Sequence, residues 1–118
     1  MPHNLKVVWY LIDPYPKRYR NGADQATGIA MDCRNTPDGT LQPSLVKFYE
    51  AIEDSEKTSV IKTPDLTYLC NQGVLLLNTD LTCKLNKTGS HRGLWEPFQK
   101  FFIDHVQKTP GMIFVLSG

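Results

Sequence analysis

The stretch Leu5-Lys6-Val7-Val8-Trp9-Tyr10-Leu11-Ile12-Asp13-Pro14-Tyr15-Pro16 decides the fold class. Residues 5–12 form a nearly continuous apolar, β-branched and aromatic run. A strand with one wet face alternates polar and apolar residues, so this pattern predicts a strand covered on both faces. Pro14 and Pro16 can neither donate to a ladder nor continue a helix. The strand therefore stops abruptly and delivers Asp13 into a loop that runs through Gly22.

Two further runs read the same way, Val74 to Asn78 (VLLLN) and Met112 to Leu116 (MIFVL). Between the runs the spacing is helical. Pro43-Ser44 opens a helix, with Ser44 as a strong N-cap and Leu45, Phe48, Tyr49 and Ile52 on one face. Thr63-Pro64 reads as a cap followed by an N1 proline, with Leu66 and Leu69 inward and Gly73 as the left-handed stop. Leu94, Trp95, Phe98, Phe101, Phe102 and Val106 trace the inner face of a third helix, which Thr109-Pro110-Gly111 breaks. A short extended piece is expected over Gly28 to Met31 and a turn over Asn35 to Gly39.

Strands alternating with helices predict an α/β fold, a short central parallel sheet joined by right-handed crossovers and sandwiched between helices in three layers. Ligands of such sheets collect beyond the carboxyl ends of the strands. Asp13 ends the first strand and Asn78 the second. If those strands are neighbours, both polar side chains face one crevice.

Length and composition narrow the functional classes. The 118 residues suit one domain, expected over residues 1–118. Thirteen Lys+Arg against twelve Asp+Glu leave a net charge of +1, which excludes a histone-like basic chain and an acidic solvating one. Any nucleic-acid contact must be local. Hydrophobic residues make up 41% of the chain, yet no apolar run approaches the ~20 residues needed to span a bilayer. Met1-Pro2-His3-Asn4 lacks the features of a secretory signal, so an intracellular home, cytoplasm or nucleus, is expected and the Asn86-Lys87-Thr88 sequon is idle. Cys33, Cys70 and Cys83 are odd in number and widely spaced, which predicts free thiols. His3, His91 and His105 have no metal-binding company, so neither a metal nor a cofactor is expected.

The motifs together resemble the uracil-DNA glycosylase family, of the family 1 type. Asp13-Pro14-Tyr15 is similar to its water-activating GQDPYH loop, and Ile12-Asp13-Pro14-Tyr15-Pro16 to the variant of some viral members. Gln25 to Ala30 (QATGIA) resembles the QAHGLAFS stretch that carries a stacking aromatic. Pro43-Ser44-Leu45 resembles the end of the proline-rich phosphate loop. Gly73 to Asn78 (GVLLLN) is identical to the uracil-recognition strand, and Leu81-Thr82, Ser90-His91 and Trp95-Glu96 follow the family's LT, SH and WE pattern. The matches fall in the family's order, on the elements read above.

The resemblance implies excision of uracil from single- or double-stranded DNA through a pocket that holds one flipped base. Asp13 would be the catalytic residue, stabilising positive charge on the sugar and orienting the attacking water. Tyr15, Met31 and Asn78 would bind the base. The Asn78 amide can donate to uracil O4 and accept from N3–H, a pattern that cytosine reverses, and the Tyr15 ring beside C5 would exclude the methyl of thymine. Pro43, Ser44 and His91 would meet DNA phosphates. Lys17, Arg18 and Arg20 with Tyr19, and Lys84, Lys87, His91 and Arg92, would supply a local positive rim.

The chain also departs from the family pattern. Ile12 replaces a glutamine and Pro16 a histidine, a combination found in viral members, so a viral source is open. Met31 stands where the family has a stacking phenylalanine, which weakens base stacking. Asp32 replaces a small hydroxyl residue and would repel DNA beside a phosphate path. Leu116-Ser117-Gly118 falls about where the family's glycine-serine loop begins. The expectation is a domain truncated before the fourth strand and the HPSPLS-like segment, whose histidine stabilises the departing uracil. Two readings follow. One is a uracil-DNA glycosylase of weak or lost activity, working in DNA repair. The other is a catalytically degenerate module that binds DNA or a protein partner, or self-dimerises, through an open sheet edge. No GxSxG, GxGxxG or P-loop supports an ordinary α/β hydrolase or a nucleotide binder.

Overall fold

Alternate side chains of the first strand enter different cores, and this sorts the whole molecule. The computed structural model describes residues 5–117. Strand β1 (Val7–Leu11) turns Val8 and Tyr10 to one side, where they pack with Val106, Phe102 and Ile103. It turns Trp9 and Leu11 to the other, against a core of Leu45, Tyr49, Leu66 and Leu76. A strand with both faces buried has no wet side to encode, which is why its sequence does not alternate.

Strands β2 (Val74–Asn78) and β3 (Ile113–Leu116) flank β1 in the order β2-β1-β3, and both pair with it in parallel. Helices α1 (Pro43–Glu56) and α2 (Thr67–Asn71) lie toward one core and α3 (Glu96–Val106) toward the other. The result is the expected α/β sandwich around a short parallel sheet. Leu11 sits opposite Asn78. Beyond the strands, Thr79 N–H donates to Leu11 O and Asp80 N–H to Ile12 O, both at 3.0 Å, carrying the pairing to the threshold of Asp13.

Several local expectations are corrected. Ser44 does not cap α1. Gln42 is the N-cap without a side-chain bond, Pro43 takes the N-terminal proline position, and the Ser44 hydroxyl is engaged by Tyr15. Helix α2 begins at Thr67 rather than after Thr63, because the Asp65 carboxylate captures the Thr67 N–H at 2.9 Å. Gly73 does stop it, at φ 88°. Residues 28–31 are turned rather than extended, with Gly28 at φ 93° and Met31 at φ 66°.

The inner face of α3 is rotated from the expected one. Leu94 and Phe101 are 63% and 72% exposed, and Phe98 is also exposed. Phe102 and Val106 turn inward as expected, joined at helical spacing by Gln99 and Ile103 in place of the exposed residues. Asp32 corrects another expectation. It does not face a phosphate path but is fully buried. Its carboxylate accepts from Leu66 N–H at 2.6 Å, the Thr27 hydroxyl at 2.6 Å and Arg34 Nη1 at 3.1 Å. The three cysteines are free. Among the described residues, no helix is long and apolar enough to cross a membrane. His3 lies outside the described residues.

Candidate active site

A cavity of about 400 Å³ opens beyond the carboxyl ends of β1 and β2. Asp13, Tyr15, Met31, Ser44 and Asn78 all line it, with Leu11 and Leu77 among its apolar walls. Pro43 and His91 do not. Pro43 is exposed at the first turn of α1, beside Ser44. The His91 Nδ1 pairs with the Thr82 hydroxyl at 2.7 Å, and the same hydroxyl accepts from Trp95 Nε1 at 2.8 Å.

Asn78 is held by its main chain. The Gln99 side-chain amide donates to Asn78 O at 3.0 Å and to Thr79 O at 2.9 Å, and Gln99 Oε1 accepts from the Tyr10 hydroxyl at 2.7 Å. Burial pushes the Tyr10 phenol up to about 12, so it stays a donor at neutral pH. This bracket ties α3, β1 and the end of β2 together, while the Asn78 side chain faces the cavity.

Tyr15 is fixed from both ends. Pro14 and Pro16 restrict its backbone, and its hydroxyl donates to Met31 O at 3.0 Å. With that single proton committed, the Ser44 hydroxyl, 2.7 Å away, acts as donor to the Tyr15 oxygen. Burial pushes the Tyr15 phenol up to about 12. Ring, Met31 and the first turn of α1 thus form one wall.

Asp13 forms an ion pair with Arg92, whose Nη2 lies 2.8 Å from Asp13 Oδ2. Arg92 Nε lies 2.9 Å from Asp80 Oδ2. Asp13 Oδ1 is buried without a hydrogen-bond partner, and the Arg92–Asp80 Oδ2 contact is an ion pair rather than a well-aligned hydrogen bond. Burial, then the neighbouring Asp80 carboxyl, hold the Asp13 carboxyl above the usual carboxylate range, and Arg92 opposes both. Arg92 is therefore spent on carboxylates rather than on the expected positive rim. Arg18 is likewise paired, with Asp24 at 3.0 Å.

No family model matches the chain. A curated uracil-DNA glycosylase of Chromobacterium violaceum is 37% identical over 120 residues, covering 99% of this chain and 47% of that protein. That of Oceanobacillus iheyensis is 36% identical over 118 residues, covering 98% and 48%. The crystal structure of mimivirus uracil-DNA glycosylase superposes with a TM-score of 0.83 at 28% identity, covering 94% of this chain and 40% of that one. This chain is similar in sequence and in fold to uracil-DNA glycosylases. It spans about half the length of the curated relatives it matches. A variant of the mimivirus enzyme in complex with UGI also superposes, with a TM-score of 0.82 at 26% identity.

Beside the cavity, sequence reasoning missed Asp80 and Gln99 and gave Arg92 a different role, in a positive rim. Asp80 and Arg92 sit beside recognised motifs, two residues after Asn78 and one after His91, where charges usually belong to solvated loops. Gln99 had a usable signal. It lies three, four and seven residues before Phe102, Ile103 and Val106, so it shares their helical stripe.

Proposed function

We propose that this chain carries the water-orienting and uracil-reading part of a uracil-DNA glycosylase site and acts in DNA repair by hydrolytic excision of uracil from single- or double-stranded DNA. The observation that carries the reading is Asp13 and Asn78 lining one cavity of about 400 Å³ at the carboxyl ends of adjacent strands. A flipped uracil enters the cavity against the wall that Tyr15 and Met31 form, and the Asn78 amide pairs with O4 and N3–H. The Tyr15 ring excludes a C5 methyl. Pro43 and Ser44 at the α1 N-terminus, and His91, meet backbone phosphates.

The C–N glycosidic bond breaks with its electron pair leaving on uracil. Water, oriented by Asp13, adds its oxygen to the sugar carbon, and its released proton balances the departing base. The Asp13 charge stabilises the cationic sugar between these events. No metal or organic cofactor enters the scheme. Among the described residues, no histidine or cationic side chain lines the cavity to neutralise the leaving anion, which supports a reading of weak or lost excision by this chain. The three free thiols fit work inside the cell.

A second reading, a catalytically degenerate module that binds DNA or a protein partner or self-dimerises, draws on β3. This outer strand leaves Leu116 80% exposed. Uracil release from a single-stranded oligonucleotide tests the first reading. Release abolished by Asp13→Asn and by Asn78→Ala supports it, and release unchanged in both removes the site assignment. Light scattering after size exclusion tests the second, which a strictly monomeric, excising protein defeats.

A further inference from the structure

Two aspartates and an arginine, from three separate segments, converge beside the cavity, which Asp13 alone of the three lines. Asp80 is only 3% exposed. Its backbone N–H donates to Ile12 O at 3.0 Å and its Oδ1 accepts from Gly93 N–H at 3.4 Å, so the side chain is tied on both sides. Arg92 comes from the turn before α3 and is 62% exposed along its side chain, yet its guanidinium reaches both carboxylates, at 2.8 and 2.9 Å. Asp13 Oδ1 is buried without a hydrogen-bond partner, and Asp80 Oδ2 meets Arg92 Nε as an ion pair without a well-aligned hydrogen bond.

Two adjacent carboxylates repel, and burial deprives them of the water that would otherwise screen them. Either a cation sits between them or a proton is taken up. Arg92 is that cation. Its planar fork serves two acceptors at once, which a lysine ammonium does with poorer geometry.

We infer that Asp80 and Arg92 are positioning residues for Asp13, forming a carboxylate–guanidinium–carboxylate bridge that fixes the orientation of the Asp13 carboxyl and keeps it charged at the cavity. The inference rests on reading Asp13 as the water-orienting group. Asp80 opposes ionisation of Asp13 and Arg92 favours it, so the pair sets the pH above which Asp13 is competent. The titratable and charged groups acting on Asp13 or sensing its charge are Asp80 after β2, Cys83 in the loop that follows and Arg92 before α3.

Carbon-13 NMR titration of aspartate-labelled full chain tests the bridge, with uracil release measured across pH in parallel. Arg92→Ala is expected to move the Asp13 midpoint up by about one pH unit. Arg92→Lys restores part of that shift, and Asp80→Asn moves the midpoint down. The acid limb of uracil release follows in the same directions. An Asp13 midpoint unmoved in both Arg92→Ala and Asp80→Asn, with native circular dichroism, overturns the bridge. Should the midpoints move while wild type releases no uracil, the bridge stands and the glycosylase reading falls. Should release depend on Asp13 while the midpoints stay fixed, the reading stands and the bridge falls.

Discussion

Gln99, on α3, donates to the main-chain carbonyl of Asn78 at 3.0 Å, so a helix on one side of the sheet fixes the end of the strand that lines the cavity. The same amide serves Thr79 O, and its oxygen takes the Tyr10 proton.

Replacing Gln99 by leucine removes all three bonds while leaving two carbonyls and a phenol with no partner. Each orphaned buried group costs about 1–3 kcal/mol. Gln99→Leu is expected to lower unfolding free energy by about 2–4 kcal/mol in urea denaturation, a sum reduced where water reaches the carbonyls. A loss below the scatter of surface substitutions would mean the bracket carries no load.

Asp32 ties residues 27–34 to the start of α2. Asp32→Ala strands the Leu66 N–H, the Thr27 hydroxyl and Arg34. Breaking a buried charge pair from one side typically costs about 3–5 kcal/mol. The partial exposure of Arg34 places the expected loss near the lower figure, about 3 kcal/mol. Thermal unfolding of Asp32→Ala beside Arg34→Ala checks it, the aspartate change being the more damaging.

Tyr15 combines a ring and a hydroxyl with separable roles. Tyr15→Phe keeps the ring but loses the bonds to Met31 O and Ser44, an expected cost of about 1 kcal/mol. Discrimination between uracil and thymine survives in it. Tyr15→Ala opens the wall, and thymine then competes with uracil in binding to a single-stranded oligonucleotide.

The raised Asp13 carboxyl carries a stability cost whose sign is definite. An acid whose folded-state pKa lies above its unfolded value binds more protons when folded between the two values. Its contribution to stability therefore falls as pH rises through that window. Asp13→Asn is expected to unfold at a higher temperature than wild type at pH 7, with the gap closing in acid. A variant less stable than wild type at both pH values would contradict this.

The sequence discloses what is local. VLLLN ends at Asn78 in the structure as in the reading, because an apolar run flanked by a left-handed glycine and a polar loop needs no distant information. Ser44 was misread as a cap because a hydroxyl at a helix start has two possible partners, and Tyr15, twenty-nine residues away, won it. The face of α3 was misread because aromatic residues outweighed one glutamine, whose three partners lie on β1 and at the end of β2. Arg92 reads as a rim charge until the chain brings Asp13, seventy-nine residues distant, to its guanidinium.

The middle place of β1 has a consequence for motion. Its amides are guarded by a neighbour on each side, whereas β2 and β3 each bond to β1 alone in this sheet. Deuterium should enter β1 last. Asp13 therefore leaves from the segment that opens least often, while Asn78 belongs to a margin that could fray, and Gln99 acts as the latch against that fraying.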